Sequence, residues 1–207
     1  MIAFDLDGTL VDSRHDLIDS VNVVRHSLDL EPLVFEDSWQ NVCRGMPHLY
    51  AKCFPVNTYA PEALRATFEQ AYAERIYRRT KVYSGVESLL TRLSEIEPLA
   101  VVTNKPQRAT EMLLKAAGLS DYFQIIVGGD RCEASKPSPI PLEFAYDELN
   151  RTGPLMMVGD SNGDVRCGKA ADAITVWCTW GYWTEILEVP DVIADTPEAI
   201  WKMVNAK

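Results

Sequence analysis

Short apolar segments alternate with helical patterns along most of this chain, and this alternation constrains its fold more than any other feature. Five segments are predicted to be strands: residues 2–6, 99–103, 124–127, 155–159 and 174–179. Several are apolar on both faces, which is typical of parallel strands buried inside a sheet. Helices are predicted at residues 86–93, 109–117, 139–149 and 165–171. The alternation predicts an α/β fold with a doubly wound, Rossmann-like parallel sheet and right-handed connections.

One long segment interrupts this alternation, because no convincing strand is found from about Arg14 to Thr80. Two helices are predicted there from apolar stripes at helical spacing. The first stripe is formed by Leu17, Val21, Val24 and Leu28, and Ser13 with Asp16 resembles a capping box before it. The second helix is predicted from Pro61 to about Arg79, with a stripe of Leu64, Phe68, Tyr72 and Ile76. We therefore predict an α/β core domain (residues 1–13 and 81–207) and a helical cap domain (residues 14–80).

The composition argues against several classes of protein. The chain has 207 residues, of which 47% are hydrophobic, so it can bury a core and is not expected to be disordered. A formal net charge of −10 argues against binding to nucleic acid or to an anionic membrane. The sequence has no apolar stretch of about 20 residues and no evident signal peptide. Five cysteines without a CxxC pair favour reduced thiols in a cytoplasmic protein over a disulfide framework or a zinc site.

The segment Asp5-Leu6-Asp7-Gly8-Thr9 follows the first predicted strand and is the strongest indication of chemistry. Its two carboxylates stand two residues apart, before a glycine that permits a sharp turn. This arrangement suits a nucleophilic carboxylate, Asp5, beside an acid/base, Asp7. Both could also offer oxygen ligands to Mg²⁺. The motif alone leaves an ordinary turn open, since Asp, Gly and Thr are common turn residues.

Three more polar clusters follow predicted strands or crossover loops. They are Thr103-Asn104-Lys105, Lys136-Pro137 and the run from Gly159 to Asp164. The first offers a hydroxyl and backbone N–H groups to phosphate oxygens, and the second offers a compact positive charge. In the third, Asp160 and Asp164 suit a divalent metal ion. Each cluster alone is also explained by a capped turn or a solvated loop.

Together the clusters predict one site for a phosphomonoester. A strand order of 3-2-1-4-5 would place Thr103 and Asp160 on either side of Asp5. Asp5 would attack phosphorus to give an aspartyl-phosphate, and Asp7 would protonate the leaving alkoxide and then activate water. Lys136 and the Thr103 hydroxyl would bind phosphate oxygens. Mg²⁺ held by Asp5, Asp160 and the backbone carbonyl of Asp7 would offset the repulsion between carboxylate and phosphate.

Further residues are candidates for supporting roles. Asp164 is expected to orient a metal-bound water or Lys136. Gly8, Thr9 and Asn104 are candidates to bind the substrate. The helical insertion is expected to act as a lid that excludes water. Arg44, in a loop between its helices, could bind a second anionic group of the substrate, although an ordinary surface arginine is also open.

The motifs resemble the haloacid dehalogenase superfamily, in the subclass with a helical cap after the first motif. Phosphoglycolate phosphatases in particular are resembled by residues 102–106, by Gly128-Gly129-Asp130 before residues 136–139, and by Gly181-Tyr182. The resemblance implies a magnesium-dependent phosphatase with a set of site residues: Asp5 as nucleophile, Asp7 as acid/base, Thr103 and Lys136 on phosphate, and Asp160 and Asp164 at the metal. One departure is Asp172, where the family usually has glycine, and Asp tolerates the left-handed conformation.

Three functions stay open at this point. The leading one is a phosphatase for a small phosphorylated metabolite such as phosphoglycolate, a sugar phosphate or a nucleotide. The second is a phosphomutase, and the third is a phospho-accepting or binding module without turnover, which would not need the Asp7 acid or a helical insertion. A monomer or homodimer is expected, with no nucleic-acid or membrane partner. For the aromatic residues Trp177, Trp180, Tyr182 and Trp183, packing is favoured over a subunit contact.

Overall fold

The computed structural model describes residues 1–55 and 61–206, and the chain divides into two compact units. One unit is Met1–Asp12 with Val82–Lys207, and the other is Ser13–Lys81. Residues 56–60 of the predicted insertion, and the side chain of Pro61, lie outside the described residues. Within the described residues, no helix combines the length and the apolar character that crossing a bilayer requires.

The secondary structure alternates in the first unit and is helical in the second. The strands are β1 (Ile2–Phe4), β2 (Val11–Asp12), β3 (Lys81–Val82), β4 (Leu99–Val102), β5 (Phe123–Val127), β6 (Met156–Gly159), β7 (Ile174–Cys178) and β8 (Val192–Ala194). The helices of the second unit are α1 (Arg14–Ser27), α2 (Phe35–Cys43), α3 (Met46–Cys53) and α4 (Pro61–Ala73). Those of the first unit are α5 (Val86–Ser94), α6 (Gln107–Ala116), α7 (Ile140–Glu148), α8 (Asn162–Ala170) and α9 (Pro197–Asn205).

The first unit is built on a parallel sheet with the strand order β5-β4-β1-β6-β7-β8. Phe4 of β1 pairs with Val101 of β4 on one side and with Val158 of β6 on the other. The predicted α/β fold is therefore confirmed, with the first strand between the second and fourth predicted ones. The edge strand β8 was not predicted, because its three residues are only partly buried.

The central strands are apolar on both faces because both faces are covered. Ala3, Ala100 and Met157 point to one face, where they join a buried cluster with Leu142 of α7 and Cys167 of α8. Phe4 is the next residue of β1, and its ring packs edge to face against the Phe123 ring, with the ring centroids 6.5 Å apart. Continuous burial of this kind is what makes central parallel strands readable from sequence.

The crossover helices end where the sequence provides residues that accept a left-handed backbone. Gly118 follows α6 with a φ of 70°, as its predicted position after a helix requires. Asp172 follows α8 with a φ of 52°, so this aspartate takes the left-handed conformation that Asp tolerates. The short helices thereby return the chain to the sheet with few connecting residues.

In the second unit, α1 packs against α2 and α4, and α2 packs against α3. Two local predictions were wrong. The helix expected to reach Arg79 ends at Ala73 and continues as turns. The Ser13 side chain makes no capping hydrogen bond to α1, and the Asp16 carboxylate instead accepts the backbone N–H groups of Arg79 and Thr80. A contact across more than 60 residues therefore replaces the local capping box.

Candidate active site

Three carboxylates gather at the carboxyl edge of the sheet. Asp5 follows β1, Asp160 follows β6 and Asp164 lies in the first turn of α8. One oxygen of each lies within 4.8 Å of the others. The adjacent parallel strands β1 and β6 end together, and the Asp5 N–H donates to the Val158 carbonyl at 2.9 Å. The sheet order thus places residues from distant parts of the sequence in one cluster.

Lys136 is the buried cation of this cluster. Its Nζ lies 2.9 Å from Asp5 Oδ1 and 2.6 Å from Asp164 Oδ1, and it donates to the Val102 carbonyl at 2.7 Å. Burial alone would lower the pKa of Lys136, but the negative charges of Asp164 and Asp5 outweigh burial and raise it. The lysine is therefore held as an ammonium ion between two carboxylates.

The cluster holds more negative charge than Lys136 can balance. Burial raises the pKa of Asp5 to about 6, against the opposing charge of Lys136 and with a further rise from Asp164. Burial also raises the pKa of Asp160 well above its usual range, and the charges of Asp5 and Asp164 add to that rise. Three acids sharing one ammonium create a site where an added cation would be favourable.

The Asp160 carboxylate accepts hydrogen bonds from residues of two different loops. Thr9 Oγ1 donates to its Oδ1 at 3.3 Å, and the Tyr182 N–H donates to its Oδ2 at 2.6 Å. A Cβ added at Gly8 would lie 2.3 Å from Asp160 Oδ2, and one added at Gly181 would lie 2.2 Å from the Asp160 Cβ. Both glycines therefore permit an approach that a side chain would block. The Tyr182 donor was missed from sequence, because a backbone N–H carries no sequence signal.

Asp164 is engaged on both oxygens. Its Oδ2 accepts the Ser161 N–H at 3.0 Å and the Ser161 hydroxyl at 2.6 Å, and the two residues form the capping box of α8. Its Oδ1 accepts the Lys136 ammonium. A Cβ at Gly159 would lie 2.3 Å from the Asp164 Cγ. The arrangement suits a carboxylate that orients Lys136 and the start of α8.

The residues present fit a divalent metal ion. Asp5 Oδ1 is buried and has no hydrogen bond among the described residues, since the Lys136 ammonium lies near it without hydrogen-bond geometry. Hard divalent cations prefer carboxylate oxygens. Asp5 and Asp160 would supply such oxygens, and the hydrogen bonds to Asp160 fix one of them in advance.

Asp7 has different surroundings from Asp5. Its carboxylate is not part of the three-carboxylate group, and it pairs with the Lys105 ammonium at 3.0 Å. Lys105 stands in the cluster that follows β4, and its side chain is nearly buried. The sequence predicts a functional role for the Thr103-Asn104-Lys105 run, but it does not predict the pairing of Lys105 with Asp7.

The remaining candidates occupy different positions. Thr103 is buried directly after β4, and its Oγ1 accepts the Lys105 N–H at 3.3 Å. Asn104 Nδ2 donates to the Lys136 carbonyl at 2.9 Å, which joins the loop after β4 to the lysine loop. Arg44 is exposed at the end of α2 and belongs to the second unit.

Known proteins resemble this chain in sequence. The family model of haloacid dehalogenase-like hydrolases matches residues 2–178. Phosphoglycolate phosphatase of Chromobacterium violaceum is 37% identical over 189 residues, which are 87% of this chain and 85% of the relative. That of Neisseria meningitidis is 36% identical over 190 residues, 87% of this chain and 80% of the relative.

Solved structures share the fold. A crystal structure described as that of a predicted phosphoglycolate phosphatase from Haemophilus somnus has a TM-score of 0.90 at 27% identity, covering 99% of this chain and 97% of that one. A haloacid dehalogenase-like hydrolase from Streptococcus pneumoniae has a TM-score of 0.85 at 22% identity, covering 98% of this chain and 97% of that one. At the second identity, the likeness concerns the fold alone.

Proposed function

The chain belongs to the haloacid dehalogenase-like hydrolases, and from that premise we propose a magnesium-dependent phosphatase that works through an aspartyl-phosphate on Asp5. The substrate class is a small phosphomonoester of the phosphoglycolate type. The observation that carries the proposal is the buried group of Asp5, Asp160 and Asp164 around Lys136. The curated relatives named phosphoglycolate phosphatase support the same class of reaction.

Asp5 is the proposed nucleophile. With a pKa of about 6 its carboxyl group is largely ionised at neutral pH, and a carboxylate is the form that attacks phosphorus. Lys136 touches Asp5 directly, so its ammonium would meet the phosphoryl oxygens as they approach. Thr103, buried beside the Val102 carbonyl that holds Lys136, is the proposed hydroxyl donor to the same oxygens.

Asp7 is the proposed acid and base. As the bond between phosphorus and the leaving oxygen breaks, the alkoxide takes the proton of Asp7. In the second step the Asp7 carboxylate takes a proton from water, the water oxygen bonds to phosphorus, and Asp5 is released. The two acids of the motif have different ammonium partners, Lys136 for Asp5 and Lys105 for Asp7. This difference supports two separate roles.

Asp5 and Asp160 are the proposed Mg²⁺ ligands, with Asp164 as a supporting residue. When bound, Mg²⁺ would neutralise phosphate charge and so reduce the repulsion that the carboxylate nucleophile meets. Gly8 and Thr9 contribute by their contacts with Asp160, and Asn104 contributes by holding the Lys136 carbonyl. Substrate binding by Gly8, Thr9 and Asn104 is part of the same proposal.

The helical unit is proposed to be a lid that contributes substrate specificity, with Arg44 as a candidate for a second anionic group. Replacement of Arg44 by Ala should raise KM for phosphoglycolate and leave KM for p-nitrophenyl phosphate unchanged, since the latter has no second anion. A cytoplasmic location remains an expectation from the cysteine pattern.

Phosphate release is the test of the proposed reaction. Wild-type protein with Mg²⁺ should release phosphate from p-nitrophenyl phosphate and from members of a panel of phosphorylated metabolites, and EDTA should stop release. Asp5→Asn should lower the rate of phosphate release by about a thousandfold or more. Recovery of an isomeric phosphate ester instead of free phosphate would favour a mutase, and no release by wild type would favour a binding module.

A further inference from the structure

Lys105 is a second buried lysine at the carboxyl edge of the sheet, and the proposed reaction gives it no role. Its ammonium lies 3.0 Å from Asp7 Oδ2 and 3.3 Å from Asp7 Oδ1, and its side chain is 5% exposed. Lysine is rarely buried in proteins unless its charge is compensated. Asp7 is the acidic partner that lies within hydrogen-bond distance of this ammonium, so each of the two side chains restricts the other.

The backbone of Lys105 is anchored on both sides of the residue. Its N–H donates to Thr103 Oγ1 at 3.3 Å, and its carbonyl accepts the Gly129 N–H at 2.8 Å and the Thr110 hydroxyl at 3.2 Å. A Cβ at Gly129 would lie 2.4 Å from the Asn104 carbonyl oxygen, so that loop packs closely against this one. Because these hydrogen bonds hold the backbone, they also restrict where the Lys105 side chain can place its ammonium group.

The two lysines divide the acids of the first motif between them. Lys136 contacts Asp5 and Asp164, whereas Lys105 contacts Asp7. We propose that Lys105 is a positioning residue, which fixes the plane of the Asp7 carboxyl group so that its proton meets the leaving oxygen in one orientation. This inference rests on the proposed phosphatase function and deepens it.

Orientation matters because proton transfer requires a short, aligned contact, and small displacements of a catalytic group slow a reaction strongly. Before the first step Asp7 carries its proton on one carboxyl oxygen, while the other oxygen accepts from the Lys105 ammonium. The leaving oxygen then keeps the electron pair of its bond to phosphorus and takes that proton, which leaves Asp7 as a carboxylate paired with Lys105. In the second step, Asp7 regains a proton from the attacking water. Lys105 keeps its own protons throughout, so its contribution is geometric.

Two esters separate this role from a general structural one. p-Nitrophenolate departs without protonation, whereas the alkoxide of 2-phosphoglycolate needs a proton from Asp7. β-Glycerophosphate replaces phosphoglycolate if wild type does not turn phosphoglycolate over. Since kcat/KM reports the steps up to departure of the leaving group, Lys105→Met should raise the ratio of kcat/KM for the aryl ester over the alkyl ester by about tenfold or more.

Matched variants control the comparison. Lys105→Arg keeps a cation with several donors and should bring the ratio to within about threefold of wild type. Lys115→Met removes an exposed lysine from the end of α6 and should leave the ratio unchanged. The rise in Tm on adding Mg²⁺ should be the same in Lys105→Met as in wild type, because Lys105 lies outside the group of Asp5, Asp160 and Asp164. If Lys105→Met does not unfold cooperatively, Lys105→Gln is measured by the same criterion.

The outcomes that overturn the inference differ from those that overturn the proposed function. An unchanged ratio in Lys105→Met, with wild type active on both esters, would remove the positioning role and leave the phosphatase standing. With the alkyl ester, Lys105→Met in an Asp7→Asn background should lose no further activity, and an additional tenfold loss would also contradict the role. A wild type inactive on both esters would contradict the phosphatase and, with it, this inference.

Discussion

Each of the two compact units contains an aspartate that is almost completely buried, and these two carboxylates have different neighbours. Asp160 in the first unit and Asp16 in the second are each 1% exposed. Asp16 accepts two backbone N–H groups and the Thr80 hydroxyl. Asp160 accepts one hydroxyl and one N–H, and it lies beside two other carboxylates.

The difference teaches that burial of an acid does not by itself mark a functional site. The Asp16 carboxylate is surrounded by donors, so it braces the end of the helical segment. The Asp160 carboxylate is surrounded by acceptors as well, and the pKa of Asp160 is raised by burial and by its acidic neighbours. Unbalanced charge, held in place by a scaffold, is what distinguishes the site from the brace.

Replacement of Asp160 by Asn should give the largest effect, a loss of kcat/KM of about a thousandfold. The amide can keep both contacts, because its oxygen accepts the Tyr182 N–H and its NH₂ can donate to the Thr9 hydroxyl oxygen. Phosphate release with Mg²⁺ measures the loss. Activity within tenfold of wild type would contradict a metal-binding role for Asp160.

The same variant should be more stable than wild type without metal. Because the folded-state pKa of Asp160 is raised, its contribution to stability falls as pH rises above the unfolded value of about 3.9. At pH 8 in EDTA, replacement of this carboxyl group by the neutral amide should raise Tm by about 2–6 °C. Thermal unfolding with and without Mg²⁺ checks this, and a lower Tm in EDTA would mean that Asp160 is a brace like Asp16.

Replacement of Gly8 by Ala should destabilise the protein by about 3–4 kcal/mol. Gly8 has a φ of 94°, and a Cβ there would lie 2.3 Å from Asp160 Oδ2. Gly45 in the second unit is a matched control, since its φ is 102° and a Cβ there would meet no atom of the described residues within 4 Å. Gly45→Ala should lose only the strain, about 1–2 kcal/mol. Equal losses in urea unfolding would show that crowding of Asp160 is unimportant.

Replacement of Asp16 by Asn should lower the free energy of unfolding by about 1–3 kcal/mol, because the amide NH₂ would face donors that the carboxylate satisfies. The activity of the folded protein should stay within about threefold of wild type. Urea unfolding and phosphate release are measured together. A large loss of activity at unchanged stability would reverse the contrast between the two buried aspartates.

Replacement of Asp191 by Asn should give the smallest effect, below about 1 kcal/mol. Asp191 accepts the Thr175 hydroxyl and N–H, as Asp16 does from Thr80, but it is exposed. Hydrogen bonds from Thr175 lower the pKa of Asp191. The stability it adds is therefore present above about pH 4 and lost as pH falls further. A difference from wild type that grows in acid would contradict this sign.

The central strands and the site cluster could be predicted from sequence because their signals are local. Strands β4 and β6 are continuously apolar, and Asp5 and Asp160 directly follow strands that the predicted sheet order makes neighbours. The edge strand β8 gave no such signal, since Val192-Ile193-Ala194 is short and half exposed. Burial on both faces is the property that sequence reports best.

The contacts that could not be predicted join distant residues through groups without a sequence signature. The pairing of Lys105 with Asp7 spans 98 residues and needs a side-chain geometry that spacing does not define. The Tyr182 donor to Asp160 is a backbone N–H. Asp16 was interpreted as part of a local capping box, but its partners lie at the far end of the helical segment.

The most direct test of the central claim is the mass of Asp5 during turnover. Wild-type protein mixed with Mg²⁺ and p-nitrophenyl phosphate, quenched in acid and digested, should yield the peptide containing Asp5 with the added mass of one phosphoryl group. EDTA should prevent the addition, and Asp5→Asn should lack it. Sustained phosphate release with no phosphorylated Asp5, or with the phosphoryl group on another residue, would contradict Asp5 as the nucleophile.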